Sequence, residues 1–406
     1  MRINKLAGAL AIAGLATVSG AAFATNGYFS HGYGMKAKGM AGAGIAFGQD
    51  ALAAATNPAN MVLVGDRLDV GLDWFRPQRS TVTGTVTHDG NGKEDFFIPE
   101  FGYNKMLNQN MSLGVSVFGN GGMNTQYNSY NATAGVFAFG SGDPVGVDLS
   151  QLFISPTFAM KINDVHSVGV SLNVAYQRFK AYGLSGFNVA AQTSAVGSVT
   201  DNGYDNSWGY GARIGWTGKL NADWTVGATY QTRTHMGKFD KYKGLFAEQG
   251  DFDIPANFGF GAAVKITPSL TAAVDLMRIQ YGSVKAISNT NAQGGLLGAN
   301  NGSGFGWTDQ TIFKLGLSYE YSKNLTLRAG WNSGETPYDP GQTQFNTLAP
   351  AVVEDHITLG GTWTLDNKSE ISVAYMHAFS NQVSGTNTMT NRMYQDSLGV
   401  SYGMKF

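Results

Sequence analysis

The charged side chains that could hold a ligand are few in this chain. Arg213, Arg233, Lys314, Arg328, Asp275 and Glu320 fall between apolar positions, on the face that alternation turns away from the apolar one. An arginine in such a place forms the bidentate pair that a carboxylate needs in a dry pocket. It equally forms an internal ion pair that only fills space. Leu184, Phe187, Val189, Leu245, Phe246 and Phe252 place apolar side chains in connecting segments, where water favours polar ones. They read either as a capture patch for an apolar molecule or as connections packed over one another. The six histidines show no metal-ligand spacing, and the chain has neither a serine-centred nucleophile elbow nor a phosphate loop. These residue types fit binding of an apolar or amphipathic molecule. They give no support to catalysis and imply no cofactor and no metal.

The elements that must position these residues are strands. From Asp66 onward side chains alternate: Leu398, Val400, Tyr402, Met404 and Phe406 share one face, and Ser397, Gly399, Ser401, Gly403 and Lys405 the other. About fourteen such segments succeed one another, each near the roughly ten residues that a tilted membrane strand needs. Short turns are expected at 107–110, 163–164, 221–223, 267–269, 322–324 and 366–368. Long connections are expected at 78–95, 120–148, 183–206, 238–250, 283–308, 333–354 and 381–391. This alternation of length belongs to a barrel with short periplasmic turns opposite long extracellular loops. Trp74, Trp216, Trp224, Trp331 and Trp363 fall near strand ends, where a membrane interface suits them.

Two features precede the strands. Residues 1–24 read as a secretory signal, with Arg2 and Lys5, an apolar stretch from Leu6 to Val18, and Ala22-Phe23-Ala24 as the cleavage site. Residues 39–61, GMAGAGIAFGQDALAAATNPANM, are small, apolar and kinked, and cannot bury themselves alone. Asp50 is placed to cap a turn over 51–56, and Asn57 a second turn that begins at Pro58. High glycine (55 residues), low charge (14%) and no second long apolar run set aside a helical membrane protein. Near balance of 27 basic and 28 acidic residues sets aside nucleic acid as a partner, and the absence of cysteine sets aside a disulfide-stapled secreted domain.

Together these features resemble the FadL family of outer-membrane transporters for long-chain fatty acids and aromatic hydrocarbons. The likeness rests on a leader, a Gly/Ala-rich segment carrying Asn57-Pro58-Ala59, and strands closing on an aromatic residue. Ile98-Pro99, Ile154-Ser155-Pro156-Thr157 and Ile254-Pro255-Ala256 echo it. The resemblance implies an all-β transmembrane barrel of about 14 antiparallel strands, 66–406, with an N-terminal mostly helical plug, 25–65, inside it. It implies a monomer in the bacterial outer membrane that captures ligand in its extracellular loops and releases it sideways through a gap at the third strand. Thr25, Asn26, Phe29, Leu184, Phe187, Leu245, Phe246, Arg213, Arg233 and Arg328 are then the candidate ligand contacts. Asn57, Pro58 and Ala59, with Phe118, Gly119, Gly121 and Gly122, are the candidate gate. The partners implied are a hydrophobic small molecule and outer-membrane lipid. Uptake of aromatic or aliphatic hydrocarbon on the same fold, and a general porin with a charge-lined water channel, are the alternatives.

Overall fold

The computed structural model describes residues 26–128, 144–386 and 388–406; the leader, Thr25 and residues 129–143 lie outside them. Fourteen long strands are joined in sequence order: β1 Arg67–Thr83, β2 Phe96–Asn108, β3 Met111–Tyr127, β4 Val145–Lys161, β5 His166–Tyr182, β6 Asp205–Lys219, β7 Trp224–Gln231, β8 Asn257–Thr267, β9 Leu270–Ile279, β10 Gln310–Ser322, β11 Leu325–Gly334, β12 Asp355–Thr364, β13 Glu370–Ser384 and β14 Met389–Lys405. Neighbours are antiparallel, and β14 returns to β1 in one continuous register from Arg67–Lys405 to Thr83–Met389. The sheet therefore closes on itself into a barrel, as a membrane-spanning sheet must to pair its backbone groups. No helix among the described residues is long and apolar enough to cross a membrane.

Alternation does what its period requires. Val70, Leu72, Leu113, Val170, Leu172, Ile214, Leu359, Leu398 and Val400 are exposed on the outer face, while Ser116, Thr157, Ser171, Asn173 and Thr217 are buried on the inner one. The short turns fall where expected, but the strands run further at the opposite end. The connection expected at 381–391 shrinks to 385–388, and β3 continues to Tyr127, past the glycines at which it was expected to end. At that end glycines and polar residues interrupt the alternation, and the ladder continues past them.

Residues 26–65 lie inside the ring of strands. Ala51 N–H donates to Asp69 on β1, Gly44 and Ile45 N–H to Asp275 on β9, Ala41 N–H to Thr358 on β12, and the Asn57 amide to Trp216 O on β6. Buried ion pairs fix one end: Lys38 to Asp73 and Glu100, both at 2.8 Å, and Glu370 to Lys36 and Arg67 at 2.6 and 2.9 Å. The segment is not mostly helical, contrary to expectation. Only Met35–Lys38 and Met61–Val64 are α-helical, with two 3-10 turns, Ala53–Ala55 and Pro58–Asn60. Glycines at 39, 42, 44 and 48 and the extended backbone of Asn57 interrupt anything longer. The caps are where they were expected, Asp50 accepting from Leu52 N–H and Asn57 from Ala59 N–H, both at 3.0 Å. Close approach needs glycine on the barrel wall too. A Cβ at Gly360 would meet the Cα of Gly39 at 3.0 Å, and one at Gly215 would overlap the Asn57 side chain.

Phe406 stacks on Tyr103 at 5.8 Å, with the Lys105 ammonium 5.2 Å from its ring centre. About half of the ring stays exposed. Phe406→Ala is therefore expected to lower folded stability by only about 1 kcal/mol, while membrane insertion falls more steeply. Comparing the unfolding midpoint with the heat-modifiable fraction in outer membranes checks this.

Candidate functional site

A small cavity lies in the barrel between the inner segment and strands β6, β8, β9 and β10. Its apolar wall is Phe29, Met277 and Ile279, its floor Ala55 and Thr56, and its polar side Asn257, Arg213 and Lys314. Every strand contribution is an inward position, placed there by period two. The space is about 20 Å³, room for one water molecule. An apolar cavity that accepts benzene has about 150 Å³, so any ligand of that size must displace protein.

Arg213 donates to Thr56 O and Thr229 Oγ1 through Nη1 (3.1 and 3.2 Å) and to Gln231 Oε1 and Asn257 Oδ1 through Nη2 (2.6 and 3.3 Å). Lys314 Nζ donates to His31 O at 2.7 Å. Among the described residues neither cation has a carboxylate within ion-pair distance. The cross-strand neighbour of Lys314, Asp275, turns its carboxylate to Gly44 and Ile45 N–H instead. Two buried cations thus face one apolar-walled cavity with only neutral hydrogen-bond partners.

Above the cavity the inner segment begins with a tight turn in which Asn26 and Phe29 exchange backbone hydrogen bonds of 3.1 and 3.2 Å. Tyr281 OH donates to Asn26 O at 2.5 Å and accepts from Tyr28 N–H at 3.2 Å. Tyr28 also packs against Phe252 and Trp307, at 6.2 and 6.0 Å between ring centres. An aromatic cluster therefore continues upward from the cavity, with Asn26–Phe29 between the two.

The other candidates separate clearly. Arg328 joins the inner segment to the wall, donating to Gln49 Oε1 and Thr362 Oγ1, and does not line the cavity. Arg233 does not point into the barrel from a strand as expected. It lies just past the end of β7 and pairs with Asp253 and Asp251, at 2.6 and 3.4 Å. Burial and the neighbouring Asp253 push the Asp251 carboxyl up to about 6. Leu184, Leu245, Phe246 and Phe252 are buried and form no exposed patch; Phe246 packs on Phe179 at 4.7 Å and on Phe252 at 4.8 Å. Phe187 is half-buried against Phe345, and Val189 stays exposed. The long connections fold back over the barrel mouth, so their apolar residues line its interior. Tyr28, Tyr281, Trp307 and Met277 were not singled out from the sequence. In the connection 280–309, Tyr281, Phe305 and Trp307 were a signal of the same kind as Phe246.

The third strand departs from its neighbour. Its pairing with β2 stops at Phe101–Val117, whereas pairing with β4 continues to Tyr127, with an extra residue, Asn120, between Gly119 and Gly121. The edge left free is taken from inside. Ser30 N–H donates to Asn120 O and Gly122 N–H to Tyr28 O, both at 3.0 Å, and Phe29 bridges to Gly121. Higher up, Gly92 N–H and Gln126 O close the edge at 2.9 Å. Phe118 turns inward against Tyr33 and Phe153, at 4.7 and 5.6 Å. Asn57, Pro58 and Ala59 do not share this place. They sit on Gly169 of β5 and Gly215 of β6, so the structure brings Tyr28 and Phe29, and not Asn57–Ala59, to the glycines of β3.

The profile of the family described as outer membrane protein transport protein (OMPP1/FadL/TodX) matches residues 11–405. The chain belongs to this family. Its members are transporters and channels of the outer membrane for hydrophobic molecules. No curated protein matches the chain. Among solved structures, the Pseudomonas putida toluene transporter TodX is 20% identical with a TM-score of 0.72, covering 94% of this chain and 100% of its own. The Ralstonia pickettii toluene transporter TbuX is 19% identical (TM-score 0.66; 93% and 99% covered). A Pseudomonas aeruginosa FadL homologue is 15% identical (TM-score 0.68; 94% and 100% covered). At these identities the likeness establishes the fold, and the ligand must be argued from the site.

Proposed function

We propose that this outer-membrane transporter carries long-chain fatty acids and releases them sideways into the bilayer. One observation carries the ligand: Arg213 and Lys314 are buried at an apolar-walled cavity, and among the described residues neither has a carboxylate within ion-pair distance. A buried cation is costly unless paired, and a carboxylate arriving with an apolar tail supplies the missing charge. The tail would take the space of Asn26–Phe29 and extend along the aromatic cluster. Residues 26–65 act as a plug in this reading, and the break between β2 and β3 is the exit. Removing a long chain from water gains about 0.8 kcal/mol per CH₂, which a route ending in the periplasm would have to reverse. A route ending in the bilayer keeps that gain, and no energy source is required.

The charge pair is tested by Arg213→Gln combined with Lys314→Met. A hydrogen bond to a charged group contributes about 1.5–3 kcal/mol. The double variant is therefore expected to weaken binding of a fatty acid by about tenfold to a hundredfold, with its methyl ester unaffected. Calorimetric titration in detergent with both ligands reads this directly. The second reading, an aromatic hydrocarbon, has the cluster of Tyr28, Phe252, Tyr281 and Trp307 in its favour. Wild-type protein that binds toluene tightly and does not distinguish acid from ester would favour it.

A further inference from the structure

Near the extracellular end of β5 the outer face changes character. Val168, Val170, Leu172 and Val174 give way to Tyr176, then Arg178, Lys180 and Tyr182, all on the same outward-facing set of positions. Tyr176 packs against its cross-strand partner Trp208 at 5.1 Å, and Trp208 and Tyr210 are exposed, as a membrane-interface girdle requires. Arg178 and Lys180 lie about 7 and 14 Å further along the strand, less its tilt. They stand just above the girdle, on the side of the barrel that meets lipid.

Tyr204 gathers them. Arg178 and Lys180 each lie 4.8 Å from its ring centre, and Lys180 is also 5.2 Å from that of Tyr182. The Tyr204 hydroxyl donates to Asp148 Oδ2 at 2.7 Å, and Lys93, reaching over from the connection after β1, meets the same oxygen at 3.3 Å. Three cations thus gather around Tyr204 and the one carboxylate it holds, which only Lys93 meets directly. Asp205 nearby is occupied by the backbone N–H groups of Lys241 and Asn206. Elsewhere on this rim, Arg76 faces Glu94 at 2.5 Å and Arg278 faces Asp309 at 3.3 Å. Around Tyr204, by contrast, Lys93, Arg178 and Lys180 outnumber the carboxylate they share a neighbourhood with, Asp148, and Lys241 adds its ammonium at Tyr204 O.

We propose that this cluster binds a phosphate-bearing lipid headgroup of the leaflet that surrounds it. The cations face outward at headgroup depth, two of them are held in place by an aromatic ring, and the acyl chains of such a lipid would lie on Trp208, Leu172 and Ile214 directly below. Arginine and lysine together supply forked and single donors to a phosphate, and basic clusters beside a membrane surface attract anionic lipid. The site is separate from the ligand cavity, which opens on the inner face.

The test uses the full chain in detergent. Native mass spectrometry measures retention of a diphosphorylated glycolipid, the same lipid without phosphates, and inorganic phosphate as competitor. The wild type is expected to retain the diphosphorylated lipid at least tenfold more strongly than the dephosphorylated one. K93Q/R178Q/K180Q is expected to lose that preference while its heat-modifiable barrel and fatty-acid binding stay unchanged, and R178K/K180R is expected to keep it. An equal preference in the triple variant overturns the proposal, as does equal retention of the two lipids by the wild type. Displacement of the lipid by inorganic phosphate at matched concentration assigns the site to a free anion and overturns the lipid assignment.

Discussion

Deleting Asn120 while replacing Gly121 by Val and Gly122 by Thr is expected to cut ligand uptake by at least tenfold and to leave ligand affinity within about twofold. Asn120 is the residue that makes β3 longer than β4 at this point. An extra residue bends a strand and re-aims the residues beyond it, and here the bend coincides with the loss of the β2 ladder after Phe101–Val117. Removing it, and giving the strand side chains that favour extended pairing, lets β3 continue along β2 and closes the break. A Cβ at position 121 would also overlap Tyr28 O, so Tyr28–Ser30 could no longer occupy that edge. Of the cavity lining only Phe29 and Ser30 follow that edge; Arg213, Met277, Ile279 and Lys314 lie on other strands, and for that reason binding and uptake should separate. Uptake in whole cells, set beside titration of the purified protein, reads the two quantities independently. Wild-type uptake in this variant would exclude the sideways route and leave an axial one.

The strands were legible because each half of a membrane strand answers to a different solvent. Leu398, Val400 and Tyr402 had to face lipid, so their spacing shows the strand, its length and its outer face. The same logic loses its hold above the membrane, where Asn381 and Gln382, on opposite faces, remain in the ladder. Local chemistry was also legible in the inner segment: Asn57 caps its turn, and Pro58 at the first position supplies the backbone angle the turn needs. Where that turn docks was not, since it depends on Gly169 and Gly215 being opposite it across more than a hundred residues of chain. Arg213, Arg233 and Arg328 looked alike as cations between apolar neighbours. They differ only in what folding brings to them: amide and hydroxyl oxygens beside a cavity, two aspartates in a connection, and a glutamine of the inner segment. Leu245 and Phe246 showed that their connection is apolar, but not whether it faces water or folds inward.

Lys38→Met is expected to destabilise the plug by about 3–5 kcal/mol and to give the barrel a measurable conductance. Lys38 ends the helix Met35–Lys38 and is the shared partner of Asp73 on β1 and Glu100 on β2, with each of the three side chains only 3 or 4% exposed. Methionine fills the same volume but leaves two carboxylates buried without their cation. Glu100 keeps one donor, Gly34 N–H at 3.1 Å, whereas Asp73 Oδ1 already has no partner. The strands hold their own ladders, so the loss should appear first as release of the inner segment and only later as unfolding of the barrel. A planar-bilayer recording should therefore show openings that the wild type lacks, approaching those of a chain deleted for 26–65. Replacing all three residues together, Lys38→Met with Asp73→Asn and Glu100→Gln, removes the stranded charges and should restore most of the closed state. If the single variant stays closed and as stable as the wild type, the ion pairs do not hold the plug. If instead the unaltered protein already conducts as freely as the deletion, residues 26–65 do not block the lumen, and the general-porin reading gains what the plug reading loses.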